Sequence, residues 1–390
     1  MRIPRTLGVL FAIGLPACAD VPPPPPALPL PPPVLSAPLP PPPPAPPPPP
    51  APVATAAPAP AVVPDAPPPA PSPPPKLARG TGTKADKALE DGDTAFAKGD
   101  YAAAEKAYKE AEKLDRKDPA GIVGHARART ARANTPTDYN AAPRDPTLTA
   151  VVRDLKRAVK LDDAFAPAHL ELGRAWLVLG RADEAFAELK RAVELAPNDA
   201  EAHSALGVAH LAQGRLADAT RELARSADLA PGDAERHTNL GTALLAGGKT
   251  EDAIRAYERA VRLAPGDART QNDLGTALLA ANDPAKAIPH LEAAVAREPQ
   301  KATYRSNLGY AHHLKGDLDK AMGLYREALK IDDKLGSAWI NLGNALAQKR
   351  DYVEARAAYQ KAQAIDPTDP RVKAVMQELD ALEKGKGGGP

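Results

Sequence analysis

The chain carries 50 Lys and Arg against 49 Asp and Glu over 390 residues, a formal net charge of +1, with one cysteine and 4% aromatic residues. That charge balance excludes a dedicated nucleic-acid surface, and the scarcity of aromatics removes the platforms on which bases stack. A single cysteine excludes an intramolecular disulfide.

The first element is a leader. Arg2 and Arg5 precede an apolar run from Leu7 to Leu15, too brief to span a bilayer and shaped like a secretory signal. Leu15-Pro16-Ala17-Cys18 resembles a bacterial lipobox, which makes residues 1–18 a lipoprotein-type signal peptide and Cys18 the lipidated residue. A lone thiol in an exported chain has no disulfide partner, so a lipid anchor gives it a role. Ala17-Cys18-Ala19 also fits an ordinary cleavage signal, and a soluble periplasmic or secreted form stays open beside the lipoprotein. By analogy with enteric sorting, Ala19 rather than aspartate after the cysteine favours the periplasmic side of the outer membrane.

Residues 19–84 read as a disordered linker, mostly proline and alanine from Val21 to about Pro75. In the polyproline II conformation this stretch would extend roughly 170 Å at about 3.1 Å per residue. It reads as a stalk between anchor and folded domain. Compositional drift and a docking peptide for another domain are the alternatives.

Beyond the linker the chain is periodic. Gly173, Gly207, Gly241, Gly275, Gly309 and Gly343 stand 34 residues apart, and Ala185, Ala219, Ala253, Ala287, Ala321 and Ala355 keep the same spacing. Residues 234–267 show one unit: apolar residues recur at three- and four-residue intervals on both sides of Gly247-Gly248, predicting two amphipathic helices joined by a tight turn. Glycine inside a helix costs about 1 kcal/mol relative to alanine, so its return in six units implies close helix packing. Pro265 ends the second helix, because the residue before a proline leaves the α region.

A Leu-Gly pair, a later Ala, an aromatic, another Ala and a closing Pro resemble the tetratricopeptide repeat signature. The resemblance implies an all-α fold, a right-handed α-solenoid superhelix of about eight helix-turn-helix units with a C-terminal capping helix. The units fall at 85–118, 119–165, 166–199, 200–233, 234–267, 268–301, 302–335 and 336–369, the cap at 370–384 and a disordered tail at 385–390. The second unit has His125-Ala126 in place of Leu-Gly and about 13 extra residues between its helices, an exposed loop. The sixth begins its second helix with Pro284, where a missing N–H costs nothing, and the seventh has Asp333 for the closing proline. Val372, Val375, Met376, Leu379 and Leu382 give the cap its apolar side.

The resemblance also implies that first helices line a concave groove, with the positions flanking the Leu-Gly pair facing into it. The sixth position gives Asn239, Asp273, Asn307 and Asn341, and the ninth gives Thr242, Thr276, Tyr310 and Asn344, with His313 beside Tyr310. Amides can donate to and accept from an extended peptide whatever its side chains. The row is similar to the asparagine ladder in the repeat arm of O-linked N-acetylglucosamine transferases, without their catalytic domain; a solvated polar face is the bland alternative. Leu170, Glu171, Arg174, Ala205 and Val208 do not continue the row and could begin a second surface. Leu89/Asp93, Val123/Arg127 and Leu170/Arg174 stand where eukaryotic relatives carry a Lys-and-Asn carboxylate clamp.

His169, His203 and His237 also repeat at 34 residues. Stacked units set equivalent residues roughly 10 Å apart, whereas ligands of one zinc ion stand about 2 Å from it, so they read as aromatic fillers. His312 and His313 diverge by about 100° around a helix. No phosphate loop, His-Glu-x-x-His motif or nucleophile elbow occurs, so neither enzyme activity nor a cofactor or metal is expected. The expectation is a non-catalytic scaffold in the bacterial cell envelope, membrane-attached through its lipid. It would bind an envelope protein in its groove and assist assembly of a secretin, motility or transport machine. Recruitment or activation of a cell-wall or glycosyl-transfer enzyme, and a structural spacer, are the other readings.

Overall fold

The computed structural model describes residues 76–133 and 142–386, with side chains as far as Asp380. The leader with Cys18, the Pro-rich stretch through Pro75, the centre of the insertion and residues 387–390 lie outside the described residues.

Among the described residues seventeen α-helices follow one another, the first sixteen in antiparallel pairs. The first two pairs are α1 (Lys84–Ala97) with α2 (Tyr101–Leu114), and α3 (Pro119–Arg132) with α4 (Pro146–Leu161). Next come α5 (Ala166–Val178) with α6 (Ala182–Leu195), and α7 (Ala200–Ala212) with α8 (Leu216–Leu229). The pairs continue as α9 (Ala234–Ala246) with α10 (Thr250–Leu263), and α11 (Ala268–Ala280) with α12 (Pro284–Arg297). The last are α13 (Ala302–Lys315) with α14 (Leu318–Ile331), and α15 (Gly336–Gln348) with α16 (Tyr352–Ile365). A final α17 (Pro370–Lys386) buries Val372, Val375 and Leu379 against the last pair. The architecture is therefore the expected all-α solenoid of helix-turn-helix units with an additional C-terminal helix.

The glycine ladder has a steric cause. A Cβ on Gly343 would lie 2.3 Å from Tyr359 Cε1, one on Gly173 2.4 Å from Leu189 Cγ, and one on Gly275 2.6 Å from Leu291 Cγ. Each glycine receives a large buried side chain from the second helix of its own pair. The turns within pairs need a left-handed residue: Gly99, Gly180, Gly214, Gly248 and Gly316 adopt it with φ of 70–89°. Asn282 (φ 58°) and Arg350 (φ 68°) supply it in the sixth and eighth units. The first helices α3, α7, α9 and α11 are capped by aspartate, as where Asp199 Oδ1 accepts from the Glu201 amide at 2.8 Å. Pro289, inside α12, went unnoticed in the sequence; it lies on the exposed side, where water can satisfy the carbonyl that lacks its donor.

Successive pairs are joined at the fourth position. His169 Nε2 bonds the Asp163 carbonyl at 3.0 Å, His203 Nε2 the Pro197 carbonyl at 3.0 Å, and His237 Nε2 the Pro231 carbonyl at 3.1 Å. Gln271 Nε2 donates to Pro265 O at 3.0 Å, Trp339 Nε1 to Asp333 O at 2.9 Å, and Arg305 to Pro299 O. These residues are hydrogen-bonding staples from a first helix to the turn six residues earlier, not the aromatic fillers expected. His169 Nδ1 also meets Glu188 Oε2 at 2.7 Å. Burial opposes its charged form, yet the bonds to Glu188 and the Asp163 carbonyl outweigh it and raise the imidazole above its ordinary value.

The fold begins earlier than the linker boundary expected at residue 84. Leu77 is 2% exposed in the first core, and its amide and that of Ala78 donate to Asp93 Oδ2 at 2.8 and 3.0 Å. The Arg79 amide donates to Asp86 Oδ1 at 2.7 Å, so residues 77–79 are tied down through their own backbone. At the described end of the insertion, Ala142 N donates to Val178 O at 3.2 Å, holding it against α5.

The curvature follows from which helices touch. Among the described residues, the backbones of successive first helices (α1, α3, α5 and onward to α15) come within 8 Å of one another, whereas successive second helices do not and are bridged only by long side chains, as Arg157 to Glu112 and Lys320 to Glu292. A row in continuous contact beside a row spread apart must lie on the inner side of the bend.

Candidate functional site

The inner row of first helices carries two kinds of polar surface. Its N-terminal half is a buried chain of charges. Arg127 Nε donates to Glu171 Oε1 at 2.8 Å, Arg174 reaches Glu201 Oε1 at 3.0 Å, and Arg236 pairs with Glu201 Oε2 and with Asp233 at 3.5 Å. Burial alone would raise the Glu201 carboxyl, but Arg174 and Arg236 outweigh it and hold it below the usual range. Glu235 fares differently. Burial, together with Glu201 and Asp233, overrides Arg236 and pushes its carboxyl up to about 7. The irregular residues Glu171 and Arg174 thus belong to an inter-unit ion network, in which removing one member leaves another charge buried and unpaired.

The C-terminal half holds the expected amide row, and the structure gives each residue a place. Asn239 is 5% exposed and donates to Ser204 Oγ at 3.2 Å. Thr242 donates to the Thr238 carbonyl at 3.1 Å and meets the Tyr257 hydroxyl at 3.0 Å. Asp273 accepts from Asn272 Nδ2 at 3.3 Å and stands 3.6 Å from Arg269; burial raises its carboxyl. Thr276 donates to the Asn272 carbonyl at 2.9 Å. Asn307 Nδ2 donates to Asn272 Oδ1 at 2.8 Å and lies 3.5 Å from Thr276 Oγ1. Tyr310 and His313 meet edge to face with centroids 6.4 Å apart, and His313 Nε2 bonds Gln348 Oε1 at 2.9 Å. Burial lowers the His313 imidazole, keeping it neutral. Asn344 Oδ1 accepts from Tyr359 OH at 2.8 Å. Asn341 is half-buried on the same face.

Much of this row's hydrogen-bonding capacity is spent between or within units. A sixth-position amide reaches the fifth-position residue of the preceding unit, as Asn239 does Ser204 and Asn307 does Asn272. The ninth position answers the large residue of the second helix: Asp93, Thr242 and Asn344 take the hydroxyls of Tyr108, Tyr257 and Tyr359. Of the four described units with a tyrosine there, the seventh departs: its ninth position is Tyr310, opposite Tyr325, while the other four units carry a leucine such as Leu189 or Leu291. The Tyr325 hydroxyl is buried with no hydrogen-bond partner among the described residues. Sequence reasoning missed the fifth position entirely, though Ser204, Thr238, Asn272 and Ser306 repeat a short polar side chain there.

Among the described residues no three His, Cys, Asp or Glu side chains gather as metal ligands. His312 turns to Asp317 at 3.2 Å, away from the partner of His313. No described helix is long and apolar enough to cross a membrane.

Stacked helical pairs with a polar inner row define a repeat scaffold. Profiles described as Tetratricopeptide repeat match residues 204–268, 238–288 and 272–335, residues 312–379 and residues 92–118, and one described as TPR repeat matches 178–214. Together these cover more than half of the chain, which belongs to the tetratricopeptide repeat superfamily, whose general role is protein–protein interaction. Among solved structures, the Cut9-Hcn1 hetero-tetramer of the APC/C is similar with a TM-score of 0.57 at 17% identity, over 76% of this chain and 56% of that one. The similarity is one of fold, and this chain spans only about half of that relative. Pseudomonas aeruginosa pilF matches with a TM-score of 0.47 and 20% identity over 56% of this chain and 98% of its own. YrrB, described as a TPR protein with an unusual peptide-binding site, matches at 0.39 and 21% over 48% and 97%. No curated protein sequence matches the chain.

Proposed function

We propose that this chain is a non-catalytic scaffold of the bacterial cell envelope that holds an extended segment of a partner protein along its inner row of first helices. The observation that carries the reading is the contact pattern of the helices. It supports reading Asn239, Asp273, Asn307 and Asn341 as one continuous inner face, on which the last three are half-buried and reachable. The envelope location rests on the leader, the lipobox-like residues ending at Cys18 and the proline-rich stretch. An anchor at Cys18 would tether the repeats to the outer membrane on its periplasmic side. The scaffold would then serve assembly of an envelope complex such as a secretin, motility or transport machine.

The test is affinity capture from native membranes with the wild-type chain and with the double variant Asn307→Ala/Asn341→Ala. Loss of the captured envelope proteins in the variant is expected, and unchanged capture overturns groove binding. Cys18→Ser tests the anchor separately: the variant should leave the membrane fraction, and continued membrane fractionation contradicts lipidation.

A further inference from the structure

The orientation of the Asn307 amide is fixed twice over. Asn272 offers its Nδ2 to Asp273 Oδ1 at 3.3 Å, and a carboxylate only accepts, so the Asn272 side chain must turn its Oδ1 toward Asn307. Asn307 must therefore meet it with Nδ2, at 2.8 Å. Independently, the single hydroxyl proton of Thr276 goes to the Asn272 carbonyl at 2.9 Å. The Thr276 oxygen facing Asn307 at 3.5 Å can then only accept, which again calls for an Asn307 donor. Asn307 Oδ1 makes no hydrogen bond among the described residues, and the amide as a whole is only half-buried. Asp273 occupies the equivalent position one unit earlier, its side chain 22% exposed and held, among the described residues, by Asn272 and, at 3.6 Å, by Arg269.

We infer that Asp273 and Asn307 form a polarised, acceptor-presenting strip on the inner face, selective for a partner segment rich in N–H donors. Such a segment is an extended chain with few prolines, placing lysine, arginine and backbone amides against this strip. This rests on the inner face being the binding surface. It departs from an amide ladder that pairs with both C=O and N–H of a peptide, because here the donor half of Asn307 is committed to its neighbours. It also disfavours the chain's own residues 21–75 as the occupant, since proline has no N–H to offer.

The experiment is selection of phage-displayed random dodecapeptides on the purified full chain, with Asn307→Ala/Asn341→Ala as the counter-selection. Expected are peptides enriched at least twofold in lysine and arginine and depleted in proline. N-methylation of alternate backbone amides in a synthetic winner should weaken binding at least tenfold. Asp273→Asn releases Asn272 to rotate and should erase the enrichment while peptides are still selected. Enrichment of acidic or proline-rich peptides, including ones resembling residues 21–75, overturns the polarity while leaving groove binding standing. Equal selection on the wild type and the double variant overturns groove binding itself, and the inference with it.

Discussion

Gly343 and Tyr359 occupy one another's space: a Cβ on the glycine would stand 2.3 Å from Cε1 of the ring. Gly343→Ala therefore forces α15 away from α16 and should destabilise the C-terminal units by about 1–3 kcal/mol. Gly232→Ala, at a turn glycine with no neighbour within 4 Å of the added carbon, should change stability little. Urea unfolding followed by hydrogen exchange localises each effect, because a repeat array opens by neighbouring units rather than as a whole.

Two tyrosines at equivalent positions should respond oppositely to loss of the hydroxyl. Tyr359 OH donates to Asn344 at 2.8 Å, so Tyr359→Phe should cost about 1 kcal/mol. Tyr325 OH is buried without a partner among the described residues, so Tyr325→Phe should leave stability unchanged or raise it by about 1 kcal/mol. Chemical denaturation of the two single variants decides the matter, and equal losses would contradict the assignment.

Arg350 holds a left-handed turn at φ 68° where five other units use glycine. A side chain there costs about 1–2 kcal/mol, partly offset by the greater freedom of glycine in the unfolded chain. Arg350→Gly should stabilise the last unit by about 0.5 kcal/mol, visible as slower amide exchange in α15 and α16.

Glu235 makes stability fall as pH rises. Its folded carboxyl sits at about 7, above its ordinary value of 4.5, so folding favours the protonated form. That contribution is complete below pH 4.5 and is lost as pH climbs through 7. Glu235→Gln should therefore raise stability by about 1–2 kcal/mol at pH 8, allowing for partial exposure, and by almost nothing at pH 4. Denaturation midpoints of wild type and variant across this range give the comparison, and a gain independent of pH would contradict it.

The solenoid was legible because its causes are local and repeated: a glycine such as Gly241 or Gly343 marks a close approach in six successive units, and Pro265 or Asp333 marks the same stop. The staples were hidden because His203, Gln271, Arg305 and Trp339 look unlike one another. Their shared property, an N–H donor at one register position, was the available signal. Partnerships such as Arg236 with Glu201, or Asn307 with Asn272, join residues 35 apart in neighbouring units and need the stacking geometry before they can be read. Leu77 was lost in a proline-rich context, since one apolar residue carries no periodicity.

Placement of a photo-cross-linking residue, in cells, at Thr242 or Asn344 on the inner row and at Arg255 or Arg326 on the exposed second helices is the most direct test of the central claim. Inner-face binding predicts cross-links to a partner protein from Thr242 and Asn344 and none from Arg255 and Arg326. Cross-links arising from the second helices, with the inner positions silent, would contradict it.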